Sequence, residues 1–393
     1  MILRRTVFFL GLSQLVCWGT AYYLIGGFGQ AIGDDLGWSR DLVYGGFSLA
    51  LLVMGLASPL AGRLIDRHGG RRVMATGSVL IALGCTGVAL SHGVVLYYAS
   101  WIVLGVAMRL TLYDAAFAAL ARIGGPSARK PMSQVTLFGG LASTVFWPFG
   151  HMLTEFFGWR AALFVFAGIA LLTLPLHLAI PVSRYGDAVP VAKPVSVEPP
   201  PLAVSSRDRF AAGALYALIA VAVNFLNSGM SAHMINILAG LGLAAGAAVW
   251  ISTLRGVAQS AARLGEVLFG ARLDAFHLNM LASGLLPVSF IAGMAGGVFV
   301  PAALAFAFVY GAGNGLTTIT RGTLPLALFD RNTYGLVVGR LLMPSFIVSA
   351  ASPLVYASVI EQFGSQAALV LSAVVALLAL GAAIVLHLRF RKR

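Results

Sequence analysis

The chain has 393 residues, 59% of them hydrophobic and only 10% charged, with a formal net charge of +13. That is far too little polar surface for a soluble protein of this size, so the chain belongs in a bilayer. A charge this positive would also suit a nucleic-acid binder, a reading that the placement of the basic residues excludes.

Apolar stretches, each near the roughly 20 residues that span a bilayer, run at 7–32, 41–62, 73–91, 94–120, 132–153, 160–181, 210–238, 244–269, 276–297, 300–326, 334–358 and 365–388. They predict an all-α membrane protein of twelve helices, arranged as six-helix bundles over 1–182 and 210–393. With both termini cytoplasmic, nineteen Lys and Arg fall in inside segments and only Arg40 and Arg160 in outside ones. This positive-inside bias accounts for the basic composition without an acidic partner.

The first span follows Arg4 and Arg5, as a secretory signal would. The apolar run continues past Tyr22 to Ile32, which is long for a signal, and the twelve-helix count needs it. Trp18 and Tyr22 lie one α-helical turn apart and away from the ends, where an interfacial belt would hold them; they offer a ligand a flat wall and a hydroxyl. Asp34 and Asp35 form a loop pair at the outer end. Cys17 and Cys85 fall inside apolar helices, as small packed hydrophobes do.

Between the second and third spans the chain reads Gly62, Arg63, Leu64, Ile65, Asp66, Arg67, His68, Gly69, Gly70, Arg71, Arg72. Asp66 can sit near the N-terminus of a neighbouring helix, where the dipole favours a negative charge by about 0.3–1 kcal/mol. Asp66, Arg67 and Arg71 read as a gating latch; a solvated basic turn that only sets topology is the alternative.

The fourth span carries Arg109 near the midplane, then Tyr113 and Asp114. Asp114 lies nearer the cytoplasm and within reach of Arg321 of the tenth span, as a structural salt bridge or as a gating or proton-carrying group. His151 and His233 lie toward the outer ends of the fifth and seventh spans, where a packing histidine is the simpler reading than a titrating one. The break from Val182 to about Arg209 contains Pro190, Pro194, Pro199, Pro200 and Pro201. Such a segment cannot bury a core, and 183–209 reads as a cytoplasmic linker.

Polar residues recur at helical spacing in the second half. The seventh span shows Asn224, Asn227, Ser228 and Ser231; the eighth Ser252, Arg255, Gln259, Arg263 and Glu266; the tenth Asn314, Thr317, Thr318 and Arg321. Spacings of three and four put each set on one face, turned from lipid for cavity lining or for helix packing. In the eleventh span Ser345, Ser349 and Ser352 do the same, and Arg340 snorkels near the cytoplasmic end. Arg255 falls near the midplane, where arginine costs roughly 2.5–3.5 kcal/mol, and no acid lies at similar depth. It needs an anionic ligand, a water-filled cavity or backbone carbonyls, and with Arg109 it could flank one anion.

Two halves of the chain repeat each other at an offset of 206 residues: Glu155, Phe157, Gly158, Ala161, Ala162 and Leu163 recur as Glu361, Phe363, Gly364, Ala367, Ala368 and Leu369. Gly105, Leu110 and Thr111 recur as Gly311, Leu316 and Thr317. Duplicated membrane chains place a substrate site between the halves, near the midplane, so that rocking exposes it to each side in turn. Arg109 meets Gly315 at its counterpart, so the charges break the repeat.

The loop from Gly62 to Arg72 resembles the signature of the major facilitator superfamily between its second and third helices. Gly270 and Asp274 form a worn second copy, and Gly158, Trp159 and Arg160 also look like that superfamily. The resemblance covers the whole chain and implies that Asp66 helps hold the cytoplasmic side shut. Leu36, Gly37, Trp38, Ser39 and Arg40, leading into a Gly-rich and Ser-rich helix, look like the bacterial branch of oxalate/formate antiporters and monocarboxylate transporters. That branch moves small carboxylates and often carries an arginine on its eighth helix, a position that Arg255 matches. Its proton-coupled members place an aspartate one turn earlier, where this chain has Ile251; Trp147, Pro148 and Gly150 only partly resemble the Gly-Pro motif of antiporters and exporters.

The sequence holds no HExxH, GxSxG or GxxxxGKS motif, which argues against a membrane enzyme and against a resident cofactor. A multi-pass secondary transporter of the cell (inner) membrane, acting as a monomer on a small organic anion, is the reading that results; export of larger amphipathic or drug-like molecules is the alternative. Binding is assigned to Arg109, Arg255, Gln259, Tyr22, Trp18, Tyr113, Asn224, Asn227, Asn314 and Thr317, and gating to Asp66, Arg67, Arg71, Asp114 and Arg321. Inward movement of a monoanion is opposed by about 2.3 kcal/mol per 100 mV, so a proton, another cation or a counter-transported anion is the implied coupling partner.

Overall fold

The computed structural model describes residues 2–124, 129–182, 202–203, 205–269, 274–329 and 334–390, and among them every regular element is a helix. The first half contains α1 (Arg4–Cys17), a π turn (Trp18–Tyr22), α2 (Leu24–Leu36), α3 (Arg40–Leu56), α4 (Ser58–His68), α5 (Gly70–Ala89) and α6 (Val94–Thr111). It continues with α7 (Tyr113–Gly124), α8 (Arg129–Gly140), α9 (Ala142–Leu171) and α10 (Thr173–Leu178). The second half contains α11 (Ser206–Gly240), α12 (Ala245–Phe269), α13 (Ala275–Met294), α14 (Val300–Leu328) and α15 (Tyr334–Phe390).

Among the described residues, eight helical stretches are long and apolar enough to cross a membrane. Two elements are each a pair of helices joined at a glycine: α9 at Gly158 (φ 79°, ψ 159°) and α15 at Gly364 (φ 81°, ψ 173°). A positive φ of this kind is open to glycine and strained for other residues. Gly158 and Gly364 stand at the repeat offset, so the duplicated sequence reappears as one backbone turn made twice.

Of the segment assigned to the linker, 183–201 and 204 lie outside the described residues. Its far end is ordered: Leu202 and Ala203 donate backbone N–H groups to the carbonyls of Ala327 and Leu328, at 3.2 and 3.1 Å. Ser205 caps α11, its side chain accepting from the Asp208 N–H, so this helix starts at Ser206, inside the stretch read as linker.

The side chain of Asp66, like that of Arg340, lies outside the described residues. Arg67 is exposed, and Arg71 donates Nε to the Ile180 carbonyl at 2.7 Å, tying the start of α5 to the end of α10. Asp274 holds a helix N-terminus in the second half, accepting from the N–H groups of Phe276 and His277. Partial burial pushes its carboxyl up, but the bonds from His277 and Phe276 prevail and hold it below the usual carboxylate range.

One apolar core crosses between the halves, and smaller ones lie within each. At the end that carries Gly37 and Trp38, the halves are in contact. Asn236 donates to the Tyr44 hydroxyl at 2.6 Å, the His233 ring lies 4.0 Å from that of Tyr44, and Ser358 reaches Asp41 at 3.3 Å. Gly26 is required there, because a Cβ would collide with the Ser231 carbonyl oxygen. Midway along, Thr144 donates to the Thr253 carbonyl at 2.8 Å where α9 meets α12 at Gly256.

Candidate functional site

A cavity of about 90 Å³ lies between the halves, lined by Trp18, Tyr23, Tyr113 and Gly139 from the first and by Val223, Asn224, Asn227, Gln259, Arg263, Asn314, Thr317, Thr318 and Arg321 from the second. From Asn227 through Gln259 to Arg263, and from Asn314 to Arg321, its lining steps along the helices toward the end that carries the termini. A larger cavity of about 260 Å³ at the opposite end is lined by Asp34, Arg40 and Glu361 among others. Acids and base together give that vestibule no preference for an anion, whereas no carboxylate lines the cavity between the halves, among the described residues.

Local backbone geometry decides which side chains face this cavity. The first span does not run as one α-helix: the Tyr23 N–H donates to the Trp18 carbonyl at 2.9 Å, closing a π turn over Trp18–Tyr22. Such a turn inserts one residue relative to α geometry and rotates the helix beyond it. Trp18 therefore shares the cavity wall with Tyr23, whereas Tyr22 does not line it and its hydroxyl accepts from Asn227 at 3.3 Å. The Trp18 and Tyr22 ring centroids still lie 4.7 Å apart.

The fourth span is also broken, at Leu112 (φ −74°, ψ −172°) between α6 and α7. On a continuous helix, side chains five residues apart diverge by about 140°; across this break Arg109 pairs with Asp114. The expected Asp114–Arg321 bridge is thus replaced, and Arg321 donates to the Asn224 side-chain oxygen at 3.2 Å. Arg109 lines neither the cavity nor the surroundings of Arg255; its guanidinium lies 5.9 Å from the Phe346 ring. The picture of Arg109 and Arg255 flanking one anion does not hold in this conformation.

Arg255 is wholly buried behind the cavity wall. Its Nη2 donates to the Asn227 side-chain oxygen at 2.7 Å and to Ser231 Oγ at 2.9 Å, while Nε and Nη1 are buried without a hydrogen-bond acceptor. Tyr310, Tyr23 and Trp147 surround the guanidinium, with centroids at 5.2, 5.4 and 5.9 Å. Arg263, further along the same face of α12, reaches both halves: Nη1 to the Thr136 carbonyl at 2.5 Å and the Tyr113 hydroxyl at 3.3 Å, Nη2 to Thr318 Oγ1 at 3.0 Å. Neither Arg255, Arg263 nor Arg321 has an acidic partner among the described residues.

Trp18, Tyr113, Asn224, Asn227, Gln259, Asn314 and Thr317 were singled out from the sequence for binding and line the cavity; Arg321, singled out for gating, lines it too. Tyr23 was missed because its exposure to the cavity depends on the π turn. Arg263 stood on the polar face of the eighth span in the sequence, the signal that could have found it, but was not assigned to the site.

A helical membrane chain with a polar cavity between duplicated halves, lined by no acid among the described residues, is organised as a transporter. A family model described as the Major Facilitator Superfamily matches residues 10–262, and the chain belongs to that superfamily. It is a multi-pass membrane transporter, not an enzyme. The fold is similar to that of a crystal structure of a point variant of the nucleoside transporter NupG, with a TM-score of 0.75 over 97% of this chain and 98% of that one, at 14% identity. Identity that low establishes the shared fold alone. An "Uncharacterized 38 kDa protein in 23S RNA operon" of Thermoproteus tenax is 34% identical over 140 residues, a match spanning 35% of this chain and 36% of that protein.

Proposed function

We propose that this protein is a secondary transporter of small organic anions, carboxylates foremost, working by alternating access in a twelve-span topology with both termini in the cytoplasm of a cell with an inner membrane. The domains would be the bundles 1–182 and 210–393. The carrying observation is that Arg255, Arg263 and Arg321 lie in or directly behind one cavity wall with neutral partners only. Three guanidinium groups in a water-poor site without a counter-charge favour an anion strongly. Nucleosides, for which the structural neighbour NupG is named, would leave all three uncompensated. A large amphipathic cargo fits poorly with so narrow a polar chamber.

Trp18, Tyr23 and Tyr113 form the flat wall, Asn224, Gln259, Asn314 and Thr317 supply neutral hydrogen bonds, and Asn227 holds Arg255 at the wall. The contacts of Tyr44 with His233 and Asn236 close the outer end, and Arg263 ties the halves together on the cytoplasmic side of the cavity. Exchange is the preferred coupling, since Ile251 stands where a proton-carrying aspartate would serve.

Counterflow in proteoliposomes with labelled mono- and dicarboxylates tests this reading. Saturable uptake of at least one anion, accelerated by the same anion inside, is the expected result; an imposed pH gradient that leaves the rate unchanged supports exchange. Nucleoside uptake without uptake of any carboxylate would refute the anion assignment.

A further inference from the structure

Resting on the anion reading above, we propose that the side-chain oxygen of Asn227 is an internal stand-in for a substrate carboxylate oxygen, and that its displacement couples binding to release of the two halves. Two donors converge on this one oxygen: Arg255 Nη2 at 2.7 Å and Asn314 Nδ2 at 3.0 Å. That is the arrangement a bound carboxylate oxygen would meet. Asn227 also stands between compartments, lining the cavity on one side and holding the buried guanidinium on the other.

The stereochemistry of arginine makes the displacement obligatory for a strong contact. A carboxylate can grip a guanidinium through two parallel bonds along either the Nε–Nη2 edge or the Nη1–Nη2 edge. Both edges use an Nη2 hydrogen, and the two Nη2 hydrogens are taken by Asn227 and Ser231. The remaining donors, Nε and Nη1, are the buried ones without acceptors. One oxygen must therefore leave before a substrate can complete either fork. Ser231 is fully buried and fastened by its own bond to the Asn227 backbone carbonyl at 2.5 Å. Asn227 faces the cavity and can rotate away.

Its departure has a consequence across the molecule. Asn227 Nδ2 donates to the Tyr22 hydroxyl at 3.3 Å, a hydrogen bond from the second half to the first. Tyr22 packs in turn on Phe47, with centroids 5.3 Å apart. A carboxylate that takes the amide's place on Arg255 and Asn314 thus removes a tie between the halves at the depth of the substrate. Before that exchange, the same amide holds Arg255 with its oxygen and the first half with its nitrogen.

The experiment compares wild type, Asn227→Asp and Asn227→Ala in counterflow with labelled lactate, oxalate, succinate and benzoate, alongside melting temperature in detergent. Asn227→Asp places a permanent carboxylate on Arg255, so half-saturation should rise by about tenfold or more, the size of one charge-assisted hydrogen bond, with melting no lower than wild type. Asn227→Ala removes the competitor, and half-saturation should fall by about threefold or more. A merely structural asparagine would make both variants weaker. Similar weakening in both, or an Asn227→Asp affinity within about twofold of wild type, overturns the stand-in role while the anion reading survives. If Asn227→Asp does not fold, Asn227→Ala decides: a tighter affinity supports the role, and an unchanged or weaker one overturns it. Absence of transport of all four probes by wild type overturns the anion reading, and this inference with it.

Discussion

Replacing Arg255 with methionine should abolish anion transport while leaving the protein at least as stable as before. In the folded protein the guanidinium gains two charge-assisted bonds, to Asn227 and Ser231, at roughly 1.5–3 kcal/mol each. Three aromatic faces at 5.2–5.9 Å add about 0.5–2 kcal/mol. Against this stand an effective desolvation penalty of several kcal/mol and two orphaned donors at about 1–3 kcal/mol each. Gains and costs cancel to within a few kcal/mol, so methionine, a flexible apolar replacement of similar length, should shift thermal melting by no more than a few degrees. Binding has no such compensation. Loss of a two-bond fork to a carboxylate removes about 3 kcal/mol or more, which is upward of roughly 100-fold in half-saturation. Counterflow of the best carboxylate gives the affinity, and tryptophan fluorescence on heating gives the melt. Transport at unchanged half-saturation would refute the anion role of Arg255; a collapse of melting in a non-transporting variant would show that the guanidinium is structural instead.

Arg263→Gln removes the group that joins Thr136 and Tyr113 of one half to Thr318 of the other. Half-saturation should rise about tenfold, and a cysteine placed at Thr317 should react faster with a thiol reagent from the cytoplasmic side; equal reactivity would show that Arg263 holds nothing shut. Gly26→Val puts side-chain carbon against the Ser231 carbonyl, where backbone cannot yield. Outer closure should fail, transport should be lost, and a Ser358→Cys reporter should become open to an impermeant thiol reagent; transport at the wild-type rate would refute the closure assignment. Asp114→Asn breaks an ion pair in which the acid is 49% exposed, so stability should change by less than about 1 kcal/mol. Anion exchange should persist in that variant, and its loss, together with any response to a pH gradient, would identify Asp114 as a proton carrier.

Much of the architecture was legible in the chain because the bilayer imposes its requirements residue by residue. A helix must be apolar over about 20 positions to cross, and a duplicated chain repeats its turns; Gly158 and Gly364 carry the same positive-φ turn for that reason. The polar faces with Asn224, Asn227, Gln259, Asn314 and Thr317 were readable because spacings of three and four hold wherever the helix is regular.

Where the helix is irregular, the projection fails. The π turn gave Tyr23 the place assigned to Tyr22, and the break at Leu112 turned Arg109 toward Asp114, leaving Arg321 to Asn224. Gly19 stands within the π turn, where it admits the Phe146 ring, but glycine does not specify that geometry and Leu112 is neither proline nor glycine, so each irregularity depends on packing against neighbouring helices. Sequence alone determined a duplicated helical membrane chain of the superfamily, with arginines inside its apolar spans. Tertiary structure decided which of those groups share a cavity, because a side chain's direction accumulates every local deviation from the regular helical rotation of about 100° per residue, while its depth in the membrane does not.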